Sequence, residues 1–137
     1  MIVADTGAVI ALADSDDRHH RVLRALFQED PSAWVLPWAI LPEVDYFLTK
    51  HLGAQVELEF VRDLSDGRWV VEWGIPADLE RASELLQAHA ALEMGLTDAV
   101  VMATAERLQA HAIATLDLRD FGAVKLRGAP KLLPRDL

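Results

Sequence analysis

Asp5, Glu43, Asp98 and Asp117 are the residues whose types and surroundings could do chemistry. They occur in Val3-Ala4-Asp5-Thr6-Gly7, Leu41-Pro42-Glu43-Val44, Leu96-Thr97-Asp98-Ala99 and Thr115-Leu116-Asp117, each inside an apolar stretch. A lone carboxylate among apolar neighbours is costly unless something pairs with it. If the four converge, a divalent cation is the natural partner. A carboxylate-held Mg²⁺ or Mn²⁺ points to phosphodiester or phosphoryl chemistry. Each acid also has a plain structural use. Asp5 could cap the next helix, Asp98 could face a helix dipole, Glu43 could reach solvent, and Asp117 could form a turn beside Asp120. Their joint occurrence, each at the start or end of an element, weighs more than any one of them.

The elements that must position them are readable from periodicity. Residues 1–5 form a short buried strand ending at Asp5, and Ala8–Ala13 a short helix. His19–Gln28 has Val22, Leu23, Leu26 and Phe27 at helical spacing. Trp34-Val35-Leu36 is a strand stopped by Pro37. A helix follows from about Ala39 to His51, with Pro42 in its first turn and Ile40, Val44, Phe47 and Leu48 inward. Glu43 falls on or beside that buried face. Gly53 ends this helix. Residues 55–64 form another, with Val56, Phe60, Val61 and Leu64 inward, and Trp69–Trp73 alternates like a strand. A long helix is predicted from Pro76 to about Glu93, with Leu79, Ala82, Leu85, Leu86 and Ala90 as its stripe. Gly95 terminates it, and Thr97 caps a further helix reaching about Ala110. Ala112–Thr115 is a buried strand just before Asp117, and Lys131–Leu133 a final edge strand. Strands alternating with helices indicate an α/β sandwich with a mostly parallel sheet, here one domain over residues 1–137. In such sheets ligands bind beyond the carboxyl ends of the strands, where Asp5 and Asp117 fall.

The 137 residues are 52% hydrophobic and 26% charged, enough for a substantial core. Cysteine is absent, which excludes disulfides and zinc-thiolate sites. No uncharged apolar stretch approaches the ~20 residues that cross a membrane, and the N-terminus lacks the basic start of a signal peptide. A cytoplasmic location is expected. The net charge of −9 opposes non-specific nucleic-acid binding. Two basic groups depart from it: Arg18, His19, His20, Arg21 and Arg24, and a C-terminal set of Arg119, Lys125, Arg127, Lys131 and Arg135. Either they are solvated surface or they flank an acidic pocket and hold a polyanion. Trp34, Trp38, Trp69 and Trp73 read as packing residues. His51, His89 and His111 have no metal-ligand spacing.

The order Asp5-Thr6-Gly7, Leu41-Pro42-Glu43-Val44, Thr97-Asp98-Ala99 and Thr115-Leu116-Asp117, followed by Asp120-Phe121, resembles the PIN domain, and more narrowly the VapC toxins of type II toxin–antitoxin pairs. The resemblance covers essentially the whole chain. It implies a three-layer α/β/α fold and a Mg²⁺- or Mn²⁺-dependent endoribonuclease that cuts structured RNA such as tRNA or ribosomal RNA. It assigns Asp5, Glu43, Asp98 and Asp117 to the catalytic metal site, with Thr6 and Thr97 as supporting hydroxyls and Asp120 as an alternative fourth acid. It also implies a homodimer silenced by a VapB-like antitoxin. In that chemistry a carboxylate, Asp98 or Glu43, would orient the attacking water, releasing a 3′-hydroxyl and a 5′-phosphate.

Other readings fit less well. Asp5-Thr6-Gly7-Ala8 resembles the aspartic-protease tripeptide, but a small protease of that type is nearly all β. A haloacid-dehalogenase phosphatase would carry a second Asp where Gly7 stands. A non-catalytic PIN-like module that binds RNA or protein would have lost acids, and none is lost.

Overall fold

The computed structural model describes residues 1–137. Its elements are β1 (Ile2–Ala4), α1 (Thr6–Ala13), α2 (His20–Glu29), β2 (Trp34–Pro37), α3 (Leu41–Leu52), α4 (Ala54–Ser65), β3 (Val70–Glu72), α5 (Pro76–Ala88), α6 (Leu96–Arg107), β4 (Ala112–Ala114), α7 (Leu118–Ala123) and β5 (Lys131–Leu133). The strands lie in the order β3-β2-β1-β4-β5, and all four pairings are parallel. The chain therefore steps outward from β1 to β3, returns across the sheet to β4, and ends at β5. Right-handed crossovers place α1–α4 on one face and α5–α7 on the other. The result is the three-layer α/β/α arrangement. The reversal of direction falls between β1 and β4, so a crevice opens beyond their carboxyl ends.

Burial follows from this layering. Strands covered on both faces must be apolar throughout, and β1, β2 and β4 are buried at every position. One main core surrounds them and includes Trp34, Leu36, Ile40, Leu48 and Ile113. Helix α6 is the most enclosed helix. It packs against α5 and against β1 and β2, and every residue from Ala99 to Ala105 is buried. Its Ala-rich composition allows that close approach on all sides. The first turn of α6 carries Asp98, so the position of this acid is set by a helix with no freedom to shift.

The far end of α6 is tied down by ion pairs. Arg107 Nε and Nη2 donate to both oxygens of Asp78 at 2.7 and 3.1 Å, and Nη2 also donates to Glu72 at 2.7 Å. Arg81 holds Glu106 through two bonds of 2.7 and 3.1 Å. These forks join α5, α6 and β3, with the Asp78 side chain only 3% exposed.

Several expectations need correction. The predicted long helix stops at Ala88, and Ala90–Leu92 makes a separate 3₁₀ turn. Leu79 and Val61, expected inward, are 49% and 45% exposed. Gly95, not Thr97, is the N-cap of α6. Gly53 does end α3, at φ +93°, a conformation that favours glycine. No element was expected over Leu118–Ala123, where the six-residue helix α7 forms. No helix is long and apolar enough to cross a membrane.

Replacing Arg107 by Met leaves the buried Asp78 carboxylate without its fork. The expected loss is about 2–4 kcal/mol of unfolding free energy, read from urea denaturation. A change under about 0.5 kcal/mol would show that the network does not hold α6.

Candidate metal centre

Four helices begin at the crevice beyond β1, β2 and β4. Helix α1 starts directly after Asp5, α3 carries Glu43 in its first turn, α6 carries Asp98 in its first turn, and α7 is capped by Asp117. Helix N-termini present unpaired backbone N–H groups and partial positive charge, which favours anions there. The fold thus sets acidic side chains where dipoles offset part of their repulsion. Asp5, Glu43, Asp98, Asp117 and Thr97 line one cleft of about 560 Å³.

Two of these acids, Asp98 and Asp117, group tightly with Asp120, which lies behind the cleft lining; each of the three offers a carboxylate oxygen within 4.8 Å of the others. Asp120 is 8% exposed, and its Oδ1 is buried with no hydrogen-bond partner. Asp117 Oδ1 accepts from the Asp120 backbone N–H at 3.1 Å, so Asp117 both caps α7 and faces Asp98. Asp5, 5% exposed, does not cap α1 through its side chain. Its Oδ2 accepts instead from the Thr115 hydroxyl at 2.9 Å. Thr115 Oγ1 in turn accepts from the Asp117 backbone N–H at 3.0 Å. One hydroxyl therefore links two of the acids.

Thr115 was not among the residues singled out from the sequence. The signal lies in strand register. Ala4 pairs with Ala114, so the residues that follow them, Asp5 and Thr115, leave the sheet side by side. Both expected supporting hydroxyls, Thr6 and Thr97, line the cleft, and the Thr6 Oγ1 is buried there without a hydrogen-bond partner.

Crowding raises proton affinity. Burial pushes the Asp5 carboxyl up to about 6, against the lowering effect of its hydrogen bonds from Thr115 and the Thr6 amide; the charges of Glu43 and Asp117 raise it further. Burial likewise lifts Asp98 to about 7, reinforced by the charges of Asp5, Asp117 and Asp120 and by a hydrogen bond with Asp120. Oxygen donors alone, a buried Asp120 Oδ1 that accepts no hydrogen bond and meets Arg119 Nε only at 4.0 Å, and two acids that resist ionisation suit a hard divalent cation such as Mg²⁺ or Mn²⁺. They do not suit a soft metal, for which thiolate is needed. Asp98, Asp117 and Asp120 could hold such an ion, with Asp5 behind them and Glu43 on the α3 wall.

Residues 2–125 match the sequence profile of the PIN domain. The chain is 27% identical over 124 residues to Ribonuclease VapC26 of Mycobacterium tuberculosis (strain ATCC 25618 / H37Rv), spanning 90% of this chain and 92% of that protein. Among solved structures, the sarcin-ricin loop cleaving toxin VapC20 of Mycobacterium tuberculosis aligns with a TM-score of 0.80 at 21% identity, over 95% of this chain and 100% of that one. DNA-bound VapBC from Salmonella typhimurium aligns with a TM-score of 0.72 at 18% identity, over 96% and 97%. At those identities the two structures establish the fold.

Two outcomes are expected of the metal-free protein. Asp5 and Asp98 bind protons more tightly folded than unfolded, so their contribution favours folding at low pH and is lost as pH rises from about 4 through 6 and 7. In EDTA, Tm should fall by several degrees between about pH 5 and 7.5. Mn²⁺ should restore it at the higher pH and act weakly at the lower, where protons compete. Glu106, whose pKa is lowered, loses its stabilising contribution below this window. A flat EDTA profile, or equal Mn²⁺ effects at both pH values, would contradict the site. Separately, Thr115→Val removes the donor to Asp5 and should weaken Mn²⁺ binding by about tenfold in calorimetric titration. Unchanged affinity would remove Thr115 from the site.

Proposed function

We infer, for a chain that belongs to the PIN domain family, that the acidic cleft is the active site of a Mg²⁺- or Mn²⁺-dependent endoribonuclease serving as the toxin of a type II toxin–antitoxin pair. The observation that carries this reading is the meeting of Asp5, Glu43, Asp98 and Asp117, from four separate segments, in one cleft. The similarity to a protein named Ribonuclease VapC26 over nine-tenths of the chain supports the activity. Structural likeness to VapBC complexes supports a VapB-like antitoxin as partner. A homodimer, a cytoplasmic location and a single domain over residues 1–137 belong to the same proposal.

Asp98, Asp117 and Asp120 would hold the cation, and Asp5 would complete the negative wall. When bound, the cation supplies a Lewis acid that polarises a phosphoryl oxygen and lowers the pKa of water. Glu43 stands on a different helix, outside the tight trio. It is the carboxylate free to orient the attacking water and to accept its proton, the role also open to Asp98. Thr115 holds the Asp5 carboxylate in place throughout. Attack on phosphorus with departure of the ribose 3′-oxygen leaves a 3′-hydroxyl and a 5′-phosphate. The acids read no sequence, so choice of a tRNA or ribosomal RNA site rests on RNA shape and unstacked loop bases.

The test is cleavage of a structured RNA in Mn²⁺. Asp98→Asn and Asp5→Asn should each lower the single-turnover rate at least about 100-fold, and EDTA should abolish cleavage. Activity that survives EDTA would refute metal dependence. An inert native protein would favour a non-catalytic RNA- or protein-binding module. Expression in a bacterial host should arrest growth, with rescue by co-expression of a VapB-like antitoxin.

A further inference from the structure

We propose that the α3 wall of the cleft carries a nucleobase-stacking subsite, formed by Phe47 and His51, that holds the RNA strand beside the phosphate to be cut. This rests on the reading of the cleft as a ribonuclease site.

Glu43, Phe47 and His51 follow one another at spacings of four along α3, so they share one stripe of the helix, and all three line the cleft. The helical rise puts Phe47 about 6 Å along the axis from Glu43 and His51 about 6 Å farther. The two rings are stacked, with centroids 5.8 Å apart and planes 10° from parallel. Phe47 was expected among the inward residues of α3. It instead packs with neither hydrophobic cluster and stands half-buried at the cleft. A large aromatic ring outside the core and next to an acidic cleft has a face to offer. Tyr46, 58% exposed, braces it edge-on at 5.4 Å and 71°. Lys50 Nζ lies 5.6 Å over the Tyr46 ring, placing a cation beside the shelf.

The charge pattern explains why such a shelf is needed. No Lys or Arg lines the cleft. The phosphate backbone therefore finds little attraction on the protein there, and the chain as a whole is at −9. Stacking of bases on aromatic faces supplies affinity without positive charge and tolerates any base. An aromatic shelf on the α3 wall, in the cleft that Asp5, Asp98 and Asp117 also line, fits a strand whose base is turned aside while its phosphate lies at the cation those acids would hold.

The experiment uses the full chain and fluorescence anisotropy in Ca²⁺ at low salt. The probes are a fluorescein-labelled single-stranded RNA of eight uridines and the same strand with abasic riboses. Phe47→Leu should weaken binding of the uridine strand about tenfold or more, and exposed His51→Ala by a smaller factor. The abasic strand should bind the native protein about as weakly as the uridine strand binds Phe47→Leu, and should be insensitive to that substitution. Equal effects on the two strands would overturn the subsite while leaving the nuclease reading intact, provided the native protein still cleaves RNA in Mn²⁺. So would unchanged binding accompanied by a change in mass on light scattering, which would make this face a contact between copies of the chain. Absence of binding to either strand, together with absence of cleavage, would overturn both.

Discussion

The crowding of buried and half-buried carboxylates at one crevice is the constraint on which the rest of this structure depends. Asp5, Glu43, Asp98, Asp117 and Asp120 come from four segments; burial first, and then the charges of the neighbouring acids, make Asp5 and Asp98 hard to ionise. Such a group survives only if the surrounding backbone holds it against relaxation. Three devices do so. Helix N-termini aim their dipoles at the cleft. The Thr115 hydroxyl joins the Asp5 side chain to the Asp117 backbone. The buried helix α6, fastened at its far end by Arg107, prevents Asp98 from swinging outward.

The same constraint connects stability to function. Without a cation the cleft keeps protons that ordinary carboxylates would have released, and the folded state bears that cost as pH rises. A divalent ion held there, as proposed, would remove the cost and act as a ligand of the native state alone. Preorganisation follows, because the acids are already in place and the ion need not gather them. Asp98, Asp117 and Asp120 form a compact trio, whereas Glu43 stands apart on α3; the proposed division of labour, with Glu43 kept for the substrate side, rests on that separation.

The succession of strands and helices was legible because β1, β2 and β4 are short, wholly buried apolar runs, and because helical stripes such as Val44 and Leu48 repeat cleanly; the order of strands in the sheet was not. The acidic positions stood out because each interrupts an apolar stretch. What periodicity could not carry was geometry between segments. Thr115 meets Asp5 through parallel register, which no local pattern records. Thr97 reads as a cap by residue type, yet Gly95 caps α6, which begins at Leu96 and holds Thr97 in its first turn. Leu79 and Val61 match a stripe but fall on the solvent side, because α4 and α5 are covered on one face only. Phe47 matches the core stripe of α3 and is displaced from it by the cleft. Helix α7 is too short to show a period.

The most direct test is crystallographic. Crystals of the native protein soaked in Mn²⁺ near neutral pH should show one strong anomalous peak, or a close pair, bounded by the carboxylates of Asp98, Asp117 and Asp120 with Asp5 adjacent. An empty cleft with manganese bound only on the outer surface would contradict the claim that these acids are held together for a cation.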